Sequence, residues 1–155
     1  MSNSKFVYVT YIRTTPQKLW QALTTPEFTR QFSFGMTQDS TWQPGAPWKM
    51  VFPDGRIADT GTVVEIEPER RYVLSWQNEF MPDMKAEGPT RMTCLLEPLD
   101  GSVKLTIIHE MEKDASKFIG AVSSGWPMIL SGLKTWLETG EAMADPRAGN
   151  TSKAA

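Results

Sequence analysis

The sequence predicts an α+β domain in which a curved antiparallel sheet of about six to seven strands wraps one long C-terminal helix. Three observations carry that prediction. Residues 37–110 alternate apolar and polar positions with period two, broken by turn residues. Residues 116–139 repeat their apolar positions at helical spacing instead. Between the first strand-like segment and the alternating region stand two short helical segments, each opened by Thr-Pro.

Phe6 to Arg13 (FVYVTYIR) is rich in β-branched and aromatic residues and reads as the first strand. At Thr14-Thr15-Pro16, Thr15 can cap a helix and Pro16 fills its first position, where the missing N–H costs nothing. Leu19, Trp20 and Leu23 form its apolar stripe. Thr25-Pro26-Glu27 starts a second helix that runs to about Phe32, with Glu27 suited to the positive end of the dipole. With almost no linker to the first strand, the two helices are placed to plug an open end of the sheet.

Trp48 to Phe52 follows Pro44-Gly45-Ala46-Pro47, and Pro53-Asp54-Gly55 turns the chain into Ile57 to Ile66. Glu67 to Arg70 turns again before Tyr72 to Gln77. The stretch from Asn78 to Pro89 is polar, too long for a tight turn, and shows no clear period. Arg91 to Glu97 and Val103 to Glu110 form a last hairpin across Asp100-Gly101. Consecutive hairpin-linked strands imply an antiparallel sheet, because parallel neighbours need crossovers.

In residues 116–139, Phe118, Val122, Trp126, Ile129, Leu130, Leu133, Trp136 and Leu137 fall within an arc of about 120° at 100° per residue. Lys117, Ser124, Ser131, Lys134 and Glu138 take the opposite side. Gly125 and Pro127 are expected to bend the helix or loosen its first half. Gly140 suits the C-cap. At about 1.5 Å per residue the helix extends about 36 Å and must cross several strands. The expected organisation is a single domain over 1–144, with 145–155 a disordered tail.

Composition excludes several classes. The chain has 155 residues, 40% hydrophobic and 22% charged, which is a globular balance. A net charge of −2 gives no basic footprint for nucleic acid. No run approaches the roughly 20 apolar residues that span a bilayer. The polar start, Met1 to Lys5, lacks the apolar core of a secretory signal. The single cysteine, Cys94, allows no internal disulfide and fits a cytoplasmic location.

Five motifs together resemble a known family. They are TTPQKLWQALTTPEF (14–28), GTVVEIEPERRYVLSW (61–76), RMTCLLEP (91–98), VKLTIIHE (103–110) and GWPMILSGLKTWLETG (125–140). The chain is similar to the activator of Hsp90 ATPase family within the helix-grip, or START/Bet v 1-like, superfamily. The resemblance covers about residues 6–140. It implies the fold directly and function only broadly, since that scaffold carries lipid transfer, hormone binding, cyclisation and co-chaperone roles. An Hsp90-type chaperone is the partner it implies, and self-association as a homodimer is left open.

Residues with chemistry are few. One His and one Cys supply no paired ligands, so no metal and no cofactor is expected. No phosphate-cradling glycine loop occurs. Cys94 alternates with Met92 and Leu96, and His109 with Val103, Leu105 and Ile107, so both point inward. Counted from the turn, Cys94 lies opposite Leu105 or Ile107, short of His109. A core histidine is the favoured reading, then a ligand contact, then a catalytic base. Glu65 faces the interior if Gly61, Val63 and Glu65 form the inward set. It is solvated if Val64 and Ile66 do, which is favoured because two apolar residues demand burial.

Six Trp and nine Met suggest either core filling or an aromatic cavity with adaptable walls. The apolar loop Phe32-Ser33-Phe34-Gly35-Met36 reads as a lid or a partner surface. The reading favoured here is binding of a hydrophobic or amphipathic small molecule, without catalysis, between sheet and C-terminal helix. The expected lining is Phe32, Trp48, Met50, Trp76, Met92, Cys94, Ile107, His109, Trp126 and Leu130. The alternatives are a co-chaperone acting on an Hsp90-type ATPase, and a cyclase or hydrolase using His109 or Glu65.

Overall fold

Seven strands form one antiparallel sheet among residues 3–148, the part of the chain that the computed structural model describes. They are β1 (Ser4–Ile12), β2 (Thr37–Ser40), β3 (Pro47–Val51), β4 (Ile57–Glu67), β5 (Arg71–Asn78), β6 (Thr90–Pro98) and β7 (Val103–Met111). Their order across the sheet is β1-β7-β6-β5-β4-β3-β2. Only β1 leaves sequence order, pairing with β7 from Ser4 opposite Met111 to Ile12 opposite Val103. The excursion that allows this is the pair of short helices, α1 (Pro16–Thr24) and α2 (Pro26–Phe32). Thr15 caps α1 by accepting from the Lys18 amide, whereas Thr25 opens α2 without a side-chain cap.

Period-two patterning turns one face of the sheet inward. Tyr72, Leu74 and Trp76 on β5 are buried, as are Met92, Cys94 and Leu96 on β6 and Leu105, Ile107 and His109 on β7. On β4 the phase changes. Val63 pairs with Leu74 and Glu65 with Val73, so Val64 is an extra residue in a β-bulge. Val63 is therefore buried while Val64 is 44% exposed. Glu65 lies on the outer face, bonded to Arg71 at 2.6 Å and Arg91 at 3.3 Å. The solvated position expected for Glu65 is the one observed, but the bulge brings it about and Val64 is not buried.

The long helix is α4 (Lys117–Thr139), continuous through Pro127, which removes the amide that would have bonded the Ser123 carbonyl. Its first turn is held from outside. The Glu87 carboxylate accepts from Ser116 Oγ at 2.7 Å and from the Lys117 and Phe118 amides at 2.9 and 3.2 Å. These are amides that a helix start leaves without partners, and a negative charge there also favours the dipole. Glu87 belongs to the 78–89 stretch that shows no period in the sequence; it holds a one-turn helix, α3 (Pro82–Lys85). Gly140, at φ 81°, closes α4 with its amide on the Trp136 carbonyl at 2.8 Å.

Packing of α4 against the end of α2 sets how far the helix stands from the sheet. A Cβ on Gly132 would lie 2.4 Å from the Phe32 carbonyl oxygen, so only glycine permits this approach. Trp136 packs on Phe28 at 5.3 Å and Phe32 at 6.5 Å beside it. Of the tail expected over residues 145–155, the structure describes the first four. Residues 146–148 make a helical turn and Asp145 pairs with Arg147, while residues 149–155 fall outside the described part.

Candidate functional site

Between the concave face of the sheet and α4 lies a cavity of about 370 Å³. Tyr72, Trp76 and Ile107 contribute from the sheet, and Val122, Gly125, Trp126, Ile129 and Leu130 from α4. The segment after α2 closes one end. Phe34 and Gly35 take successive left-handed conformations, φ 56° and 89°, turning the chain sharply over the cavity. A Cβ on Gly35 would meet the Pro53 ring at 2.8 Å, so this turn rests against the β3–β4 hairpin. Phe32, Ser33, Phe34 and Met36 all line the space, as does Arg147, whose guanidinium lies 5.7 Å from the Phe34 ring.

Of the expected lining, Phe32, Met50, Trp76, Ile107, Trp126 and Leu130 border the cavity. Trp48, Met92, Cys94 and His109 do not, although all four point inward. Alternation predicts a face but not which side chains lie above others. The Trp48 ring packs on Trp76 at 4.4 Å. His109 is enclosed by Trp76, Phe118 and Trp126 at 5.1, 5.2 and 6.2 Å. Met92 pairs with His109 and Cys94 with Tyr72 in the ladders, both fully buried.

The chemistry of these buried groups is inert. Trp126 Nε1 can only donate, and it donates to His109 Nδ1 at 3.1 Å. His109 Nε2 therefore carries the proton and donates to Thr90 Oγ1 at 2.8 Å, which donates in turn to the Trp76 carbonyl at 2.8 Å. Burial lowers the His109 pKa to about 3, so the ring is neutral with both nitrogens engaged. Burial pushes the Cys94 thiol up to about 12. Cys94 stands opposite Ile107, two residues short of His109 along β7, so no Cys–His pair forms. Among the described residues no three His, Cys, Asp or Glu gather as a metal-ligand set.

The polar residue that sequence reasoning missed is Asp59. It lines the cavity at 7% exposure, facing inward with Gly61 and Val63. Asp59 belongs to the Gly61, Val63, Glu65 set extended toward the start of β4, whereas the favoured phase, with Val64 and Ile66 inward, turns it outward. Burial raises its carboxyl to about 6, against the pull of Trp76 and Asn78, and the negative Glu79 adds to the rise. Its hydrogen bonding is thin: Oδ1 accepts from Asn78 Nδ2 at 3.3 Å.

Other polar groups at the cavity are occupied. Gln38 accepts from Trp48 Nε1 at 3.0 Å and donates to the Leu23 carbonyl at 3.1 Å. Thr29 Oγ1 donates to the Thr25 carbonyl at 2.8 Å, and Ser33 Oγ bonds the Thr29 and Met36 carbonyls. The exception is Trp76 Nε1, which is buried and makes no hydrogen bond.

Over residues 13–138 the sequence matches the family described as "Activator of Hsp90 ATPase homolog 1-like protein". The chain belongs to that family. Three solved structures resemble this member of it in fold. MLL2253 from Mesorhizobium loti has 21% identity and a TM-score of 0.73, over 86% of this chain and 96% of that one. The Aha1 dimer from Colwellia psychrerythraea has 19% identity and a TM-score of 0.70, over 89% and 98%. PFC0360w, an Hsp90 activator from Plasmodium falciparum, has 17% identity and a TM-score of 0.72, over 87% and 96%. Among curated proteins no match is found. At these identities the likeness shows the helix-grip fold expected from the sequence and does not extend to activity. Among the described residues no helix is long and apolar enough to cross a membrane.

Proposed function

We propose that this domain binds a hydrophobic or amphipathic small molecule in the cavity between sheet and α4. The observation that carries the reading is a mainly apolar, partly open space of about 370 Å³ between the sheet and α4. Protein interiors pack to crystal-like density, and ligand sites occupy roughly 300–1,000 Å³ with a few placed polar groups. Trp76 and Trp126 supply broad apolar walls, Met36 and Met50 adaptable ones, and Asp59 a polar end. Nothing in the arrangement supplies a nucleophile with its base, so the reading is binding without catalysis.

Gly125 offers the test. It lines the cavity, and a Cβ placed on it meets no atom within 4 Å. Gly125→Phe is expected to fill the space, improve the propensity of α4 by a few tenths of a kcal/mol, and weaken ligand uptake at least about tenfold. Fluorescence titration with the neutral probe N-phenyl-1-naphthylamine measures this. Saturable binding by the wild-type chain and its loss in Gly125→Phe support the reading; a wild-type chain that binds no probe ends it. Native mass spectrometry of the purified protein would reveal a co-purifying ligand.

Family membership favours a second reading, stimulation of an Hsp90-type ATPase. Edge strand β1 presents Val7, Val9 and Tyr11 outward at 50%, 41% and 53% exposure, an apolar stripe suited to a protein partner. Chaperone ATPase rate measured with equimolar domain should rise severalfold on this reading. An unchanged rate rejects it.

A further inference from the structure

We propose that the cavity's ligand is an apolar amine, its protonated head held by the Asp59 carboxylate against the Trp76 and Phe80 rings. The inference rests on the small-molecule reading above and adds the ligand's chemical class. Asp59 is 7% exposed and borders the cavity, yet no ion pair of the described residues includes it. The charge that bears on it is Glu79, also negative, itself held by Thr60 at 2.5 Å and Lys85 at 2.9 Å. A buried carboxylate with no ion-pair partner is a costly arrangement, and buried charges are ordinarily paired.

Aromatic residues line the same cavity. The Glu79 amide bonds the Ala58 carbonyl at 2.8 Å, and Phe80, the next residue, borders the cavity with Phe52, which it meets edge-on at 5.0 Å. Trp76 lies across from Gly61 and borders both the carboxylate and the void. A buried carboxylate without an ion-pair partner at the end of an apolar cavity favours a cationic head over a neutral or anionic one. With its pKa near 6, Asp59 is ionised at pH 7.5. Trp76 and Asn78 both pull the Asp59 carboxyl down, by less than burial pushes it up, and neither carries a positive charge.

Three probes sharing one tail test the proposal: 1-decylamine, 1-decanol and decanoate, each displacing N-phenyl-1-naphthylamine from the full chain at pH 7.5. The amine is expected to displace at about tenfold lower concentration than the alcohol, with decanoate weakest. In Asp59→Asn the ratio of amine to alcohol affinity is expected to fall to near unity. The wild-type order needs no variant and decides by itself should Asp59→Asn misfold. Equal affinities for amine and alcohol, or an amine preference that persists in Asp59→Asn, overturn the proposal and leave the cavity reading standing. Failure of the naphthylamine probe to bind at all removes both.

Discussion

Gly61→Ala is expected to lower the melting temperature by about 10 °C or more. A Cβ at Gly61 would lie 1.7 Å from the Ser75 carbonyl oxygen and 2.8 Å from its carbon. Both atoms are backbone of β5, which cannot move aside, because β4 and β6 flank it on either edge. Overpacking against a flexible side chain costs roughly 1–3 kcal/mol. Parting a central ladder should cost about 4 kcal/mol or more, at roughly 2–4 °C per kcal/mol for a chain of this size. Trp76 pairs with Gly61, so the same shift should disturb the cavity wall. Gly120→Ala is the control: its Cβ meets nothing within 4 Å, and on exposed α4 it should raise stability by about 0.5–1 kcal/mol. Thermal unfolding followed by circular dichroism reads both. A Gly61→Ala chain melting within about 3 °C of wild type would mean that β4 and β5 are not as closely apposed as described.

The second large effect is a gain. Asp59→Asn is expected to stabilise the unliganded domain at pH 7.5 by roughly 2–3 kcal/mol. Folding raises the Asp59 carboxyl from 3.8 to about 6, so its contribution is fully present below pH 3.8 and is lost as pH rises through 6. Over that interval the loss runs at about 1.36 kcal/mol per pH unit. His109 acts with the opposite sign. Its pKa falls from 6.5 to about 3, so the neutral ring's contribution is intact above pH 6.5 and is lost as pH drops toward 3.

Between pH 4.5 and 6 the two groups offset each other in the wild type, giving a nearly level profile. With asparagine at 59 the histidine is no longer offset. Stability of the variant should then decline by about 1.4 kcal/mol per unit on acidification across the same window. Urea denaturation at pH 7.5, 6 and 4.5 distinguishes the two chains. Parallel profiles would refute the burial assigned to Asp59.

Local pattern made most elements legible. Thr15-Pro16 and Thr25-Pro26 marked two helix starts, and Ser116 with Gly140 bounded α4. Counting from the hairpin turn puts Cys94 opposite Leu105 or Ile107, and Ile107 is its partner. Departures arose where a local rule met a non-local one. Counting by twos fails at the Val63–Glu65 bulge, because an inserted residue reverses the phase and exposes Val64. The 78–89 stretch showed no period because its ordering comes from Glu87 reaching the start of α4, 30 residues away in sequence from Lys117.

By itself, the sequence determined most of the strands and helices and, away from the β4 bulge, which of their faces turn inward, because hydrophobic periodicity and capping act over a few neighbouring positions. Tertiary structure alone decided which inward residues meet the void. Trp48 and His109 lie beneath other rings, while Asp59, from the start of β4, reaches the cavity. That difference depends on how far α4 stands from the sheet, a distance fixed where Gly132 meets the Phe32 carbonyl. Layering of side chains across elements distant in sequence is a property of three-dimensional packing, and no period along the chain encodes it.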